Sequence, residues 1–183
     1  MKRHVFLAVA IMLMAPAITL AQAAAVQPPK PGPEHQKLAG LVGNWTSEGE
    51  CSEWPFGPAE KYASKIKAEW FPGNFAVVRH LVSKSSASGD SVGMEVVAYD
   101  SRVKVYTWSG IDSIGFNAIG KASISKDTLT INWTDRAKGK IYKIRGTLQG
   151  LGSDKFLWSV TYSEDGKAWT PVCKGTDVRV KAN

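Results

Sequence analysis

The β-forming runs of this chain are joined by links too short to hold a helix. Runs rich in Val, Ile, Thr, Tyr and Trp recur, and turn residues interrupt them roughly every ten to fifteen positions, the spacing of an all-β sandwich or barrel. Ten strands are predicted, at 42–53, 59–70, 74–83, 91–100, 103–109, 115–125, 128–134, 140–149, 155–163 and 169–181. "SSASGD" links the third to the fourth, "DSR" the fourth to the fifth, and Lys126-Asp127 the sixth to the seventh. Asp165-Gly166 marks a hairpin, because Gly readily accepts positive φ. A parallel pair needs a crossover of about a dozen residues or more, so the strands must be antiparallel. One or two helical turns are expected at Pro33–Leu41, with proline suiting the first turn and Gly43 the exit.

Alternation assigns the faces. In the second strand Lys61, Lys65, Lys67 and Glu69 share one face, and Tyr62, Ile66, Ala68 and Trp70 the other. In the eighth, Lys143 and Arg145 oppose Tyr142, Ile144 and Leu148. The sheet is therefore wet outside and apolar inside. That disfavours an outer-membrane barrel, whose outward face needs an apolar band. The third strand, "NFAVVRHLVS", is apolar on both faces, and alternation does not orient it.

If the sheet closes, its first and last strands pair antiparallel. The register that sets Cys51 opposite Cys173 also sets Trp45 opposite Arg179, Glu50 opposite Lys174 and Gly49 opposite Gly175. One parameter yields a disulfide, a cation–π contact and an ion pair. Cysteines in an exported protein tend to pair. This bridge would close a loop of over 120 residues, worth about 4 kcal/mol on the loop-entropy account. Two buried free thiols are the alternative. Asp177 points inward in this register, beside Arg179 and opposite Ser47. An inward carboxylate is costly unless paired. It is expected to contact Arg179 or Ser47, or to anchor a ligand at a cavity floor.

Gly43-x-Trp45, preceded by a helical turn and answered by an Arg in the last strand, resembles the calycin (lipocalin-type) barrel signature. "PEHQKLAGLVGNW" followed by "VVAYDSRVKVYTWSGIDSIG" resembles the bacterial domain-of-unknown-function family 1579. Glu34, His35, Leu38, Leu41, Gly43, Trp45, Tyr99, Asp100, Tyr106, Asp112 and Gly115 match its pattern in order, while Ala98 stands where the family usually has Gly. The resemblance covers most of residues 33–181 and implies a calycin-like barrel. It implies little about activity, because the family has no assigned reaction.

Met1–Ala23 has a basic stub (Lys2, Arg3), an apolar run from Val5 to Leu20 and an A-x-A end at Ala21–Ala23, the pattern of a cleaved signal peptide. The run is under the roughly 20 residues of a membrane span. Export follows, to a bacterial periplasm or to the outside as a secreted protein, with cleavage near Ala23. Residues 24–32 are Ala-, Gln- and Pro-rich and read as a disordered leader, leaving one β-barrel domain at 33–183. Removing Lys2 and Arg3 from 23 basic residues leaves 21 against 16 acidic ones, about +5. The lysines are scattered, with no run of the kind that binds nucleic acid.

Reactive motifs are few. His35 and His80 are the two histidines after the leader, and zinc needs three or four ligands in a compact set. No metal site or cofactor is expected. A haem barrel would need an axial histidine, and no histidine follows His80. No G-x-S-x-G or H-E-x-x-H motif appears, and Cys51 has no histidine placed to activate it. The expected fold is all-β, a single antiparallel calycin-like barrel of about ten strands, with a β-sandwich as the alternative. The expected function is non-enzymatic binding of a small apolar or aromatic ligand in the barrel. Candidate ligand-facing residues are Trp45, Tyr62, Ile66, Tyr142, Trp158, Asp177 and Arg179. An envelope scaffold with a filled barrel, or an enzyme using cavity polar groups, are the alternatives.

Overall fold

The computed structural model describes residues 30–181. The expected signal peptide and residues 24–29 of the leader lie outside them. One helical turn, α1 (Pro33–Gln36), runs into a 3-10 turn at Lys37–Leu41. Ten strands follow: β1 (Gly43–Cys51), β2 (Glu60–Trp70), β3 (Ala76–Ser85), β4 (Gly89–Asp100), β5 (Val105–Asp112), β6 (Asn117–Ser125), β7 (Thr128–Ala137), β8 (Lys140–Gln149), β9 (Lys155–Ser163) and β10 (Thr170–Arg179). Each pairs antiparallel with its neighbours in sequence, and β1 pairs β10, so the sheet is a closed barrel. Closure removes the exposed sheet edges that would invite aggregation. β3 begins two residues later than expected, because Gly73 and Asn74 take up φ of 93° and 61° in the turn before it.

The seam has the register expected from its cysteines. Trp45 faces Arg179, Gly49 faces Gly175, Glu50 faces Lys174, and Cys51 faces Cys173. Cys51 and Cys173 form a disulfide across 122 residues of chain. Lys174 Nζ lies 3.2 Å from Glu50 Oε1 on the outer face. That pair is solvent-exposed and contributes little. The Arg179 guanidinium stands 4.0 Å from the Trp45 ring centroid, a contact worth about 0.5–2 kcal/mol. On the other side Trp45 stacks on Phe156 at 4.2 Å. Its Nε1 donates to Leu41 O at 3.0 Å. Arg179 also donates to Val42 O and Gly40 O and pairs with Asp154. Trp45 and Arg179 thus fasten the helical turns to the seam.

Those turns close one end of the barrel. Leu38 and Leu41 are fully buried, in one core with Val77, Val97, Leu129 and Phe156 from strands around the wall. His35 is buried as well. Its Nδ1 accepts from Gly32 N at 2.9 Å, which leaves Nε2–H to donate to Tyr99 O at 3.2 Å. Tyr106 Oη donates to the Glu34 carboxylate at 2.7 Å. Asp100 Oδ1 accepts from the Arg102 amide, and Asp112 Oδ1 from those of Ile114 and Phe116, so both carboxylates shape turns.

Reducing the disulfide should lower the unfolding free energy by about 2–5 kcal/mol, read from urea denaturation of oxidised and reduced protein. Equal midpoints would mean that the strand ladder alone holds the seam.

Candidate functional site

Alternation turns every second residue of each strand inward. On β3 the strand ladder places Val77 opposite Trp70, Arg79 opposite Ala68 and Leu81 opposite Ile66, so these three point inward and His80 outward. An arginine therefore enters an otherwise apolar interior. Its Nη1 lies 2.6 Å from Glu95 Oε2 on β4, and its Nη2 lies 3.2 Å from Asp177 Oδ2 on β10. Asp177 is 2% exposed and Arg79 7%. Two carboxylates thus share one guanidinium across the barrel. Asp177 makes neither of the expected contacts, with Arg179 on its own strand or with Ser47 on β1. Arg179 spends its donors on Asp154 and the carbonyls of the helical turns, and Ser47 Oγ accepts from Trp158 Nε1 at 3.2 Å.

Around this network the interior is open. A cavity of about 150 Å³ is lined by Tyr62, Ile66, Arg79, Glu95, Trp108, Ile131, Trp133, Trp158 and Asp177, among others. Tyr62 stacks on Trp158 with centroids 5.2 Å apart. Trp108 packs on Trp133, also at 5.2 Å. Gly49 and Gly175 explain how Trp158 fits. A Cβ at either would fall within 2.2 Å of its ring, so the paired glycines form the notch in which the indole lies. Burial, with the Asp177 and Glu95 carboxylates, pushes the Tyr62 phenol far above its ordinary pKa, so it stays protonated at neutral pH.

Three buried polar atoms of cavity-lining side chains lack a hydrogen-bond partner among the described residues: Trp108 Nε1, Trp133 Nε1 and Asp177 Oδ1. An unmade hydrogen bond at a buried group costs about 1–3 kcal/mol. Two of the three are donors and one is an acceptor. A second hollow of about 120 Å³ shares Leu81 and Glu95 with the cavity and reaches Ser91, Asp112 and Phe116. It lies toward the end opposite the helical turns. A wider surface hollow, about 920 Å³, is lined largely by outer-face groups such as Glu48, Glu50, Lys61 and Lys174, with Tyr62 and Trp158 showing from inside.

Of the residues expected to face a ligand, Tyr62, Ile66, Trp158 and Asp177 line the cavity. Trp45 lies in the plugged end and Arg179 over it. Tyr142 is buried in a separate aromatic group with Phe56 and Tyr162. Sequence reasoning missed Arg79, Glu95, Trp108 and Trp133 as a set. The available signal was one Arg in an apolar strand. Among the described residues no group of three or more His, Cys, Asp or Glu side chains is arranged to hold a metal ion.

Substituting Arg79→Met should destabilise the barrel by about 3–5 kcal/mol, because two inward carboxylates lose their cation. The triple variant Arg79→Met, Glu95→Gln, Asp177→Asn should recover most of that loss in urea denaturation. A single variant as stable as the parent would remove the network from any structural account.

The fold is shared by solved structures of low sequence identity. Rv2717c from M. tuberculosis superposes with a TM-score of 0.58 at 16% identity, covering 82% of this chain and 99% of that one. The S-type phycobiliprotein lyase CPES from Guillardia theta gives 0.51 at 12% identity, with 82% and 94% covered. Such likeness concerns the barrel alone. No curated protein matches the sequence. The family model described as a protein of unknown function (DUF1579) matches residues 30–176, and the chain belongs to that family.

Proposed function

We propose that this protein is an exported, non-enzymatic binder of a small aromatic or apolar ligand held inside its barrel. The observation that carries this is the interior cavity walled by Tyr62, Trp108, Trp133 and Trp158, with unpartnered polar atoms on Trp108, Trp133 and Asp177. Apolar walls with a few oriented polar groups are the usual form of a small-molecule site. A scaffold needs no such hollow, since close packing of these side chains would add stability.

The inward polar groups also suit an enzyme, and a phycobiliprotein lyase shares this barrel, so the fold does not decide between them. The hydrogen bonds favour binding. Arg79 is spent on Glu95 and Asp177, Ser64 on Ser83, Ser159 on Thr147 and Ser47 on Trp158. None of the cavity serines hydrogen-bonds a histidine or carboxylate among the described residues, as an activated nucleophile would. Export rests on the N-terminal sequence and is supported by the disulfide, a bond that persists in oxidising compartments. No described helix is long and apolar enough to cross a membrane.

Native mass spectrometry of the full chain, purified from the periplasm without reductant, should show an adduct lost on activation. Gly146 lines the cavity, and a Cβ there meets Trp133 only at ordinary contact distance, 3.5 Å. Gly146→Val should therefore fold, fill the space and abolish the adduct. An adduct that persists undiminished in the folded variant would place the ligand elsewhere and defeat the reading.

A further inference from the structure

The cavity has a sign as well as a shape. Its lining contains two carboxylates, Asp177 and Glu95, and one cationic side chain, Arg79. Arg79 is already bound to both. The set is one carboxylate in excess. That excess is positioned: Asp177 is 2% exposed, its Oδ2 meets Arg79, and its Oδ1 has no partner among the described residues. Hydrogen-bond capacity left free on a buried carboxylate is costly unless a donor arrives, and a charged donor offsets it best.

The walls point the same way. Tyr62 stacked on Trp158 and Trp108 packed on Trp133 present four π systems to one small space. Ring faces attract cations, most strongly where water is excluded. The phenol of Tyr62 reports the same field, since after burial its upward shift comes from the Asp177 and Glu95 carboxylates. The neighbouring hollow lined by Ser91, Asp112 and Phe116 adjoins the cavity at Leu81 and Glu95. That hollow is lined by two carboxylate side chains, Asp112 and Glu95, and by no cationic one.

Size limits the ligand. The cavity measures about 150 Å³, and an apolar cavity of about 150 Å³ takes up benzene. A single aromatic ring with a short polar arm fills it. Taken with the interior binding proposed above, on which this rests, we propose that the ligand is a compact aromatic cation: a planar ring bearing a protonated amine or amidine, whose N–H donates to Asp177 Oδ1. An aromatic acid would set its carboxylate against Asp177 and Glu95. A neutral hydrocarbon would leave Asp177 Oδ1 unpartnered.

Three probes with one ring separate these cases: benzylamine (protonated at neutral pH), toluene and benzoate. Each is titrated into the full mature chain at pH 7, with the indole N–H resonances of Trp108 and Trp133 as the readout. Benzylammonium should shift both resonances and bind about tenfold or more tighter than either other probe. Asp177→Asn, which keeps the size of the side chain, should bring the benzylammonium-to-toluene ratio to about one. Glu95→Gln lies where the cavity adjoins the neighbouring hollow, leaves Asp177 paired with Arg79, and should reduce the same ratio if Asp177→Asn fails to fold. Toluene binding as tightly as benzylammonium would overturn the charge assignment while leaving interior binding intact. Benzoate binding tightest would reverse the assignment. If none of the probes moves the interior indole signals, both the charge assignment and interior binding fail. A ratio unchanged in folded Asp177→Asn or Glu95→Gln would also overturn the proposal.

Discussion

Pairing of the first strand with the last is the constraint on which the rest depends. It turns a ten-strand meander into a barrel, and only a barrel has an interior. The same pairing holds Arg179 over Trp45, seats the helical turns through Gly40 and Val42, and sets Gly49 beside Gly175 to receive Trp158. The contacts are long-range, so the chain must close its largest loop before most of them form. The Cys51–Cys173 bridge limits that entropy cost by constraining the unfolded chain.

The two ends of the barrel are packed differently. Around the helical turns the core is dry and close-packed, with Leu38, Leu41, Trp45 and Phe156 almost fully buried. Polar atoms there are satisfied: His35 by Gly32 and Tyr99, Trp45 by Leu41, Tyr106 by Glu34. Further along, the packing loosens around Arg79, and unpaired polar atoms collect. Interiors usually exclude such atoms. Their concentration on one cavity, beside satisfied neighbours elsewhere, is the feature on which the proposed binding rests.

The residues that match the family pattern lie mostly at the plugged end or in turns. Glu34 and His35 tie the helical segment to Tyr106 and Tyr99, while Asp100 and Asp112 brace hairpins. The family pattern therefore describes how the barrel is closed and plugged. Arg79 and Glu95 are not among those matched residues.

Strand number, antiparallel order, the helical turns and the seam register were all legible in the sequence, because each follows from local spacing or from one pairing between strands. Alternation on β2 and β8 also placed Tyr62, Ile66 and Tyr142 inward. It did not reveal that Tyr142 joins Phe56 and Tyr162 instead of the cavity, since position along the barrel axis depends on how far neighbouring strands are staggered. The partner of Asp177 was hidden for a related reason. Arg79 sits in a strand whose two faces look alike, 98 residues from Asp177. Only the ladders to Ala68 and Glu95 decide that it points inward. The sequence by itself determined the antiparallel strands and their turns, because period and link length are local properties. Tertiary structure alone decided the charge and shape of the cavity, because those arise from side chains that meet only after the sheet has closed.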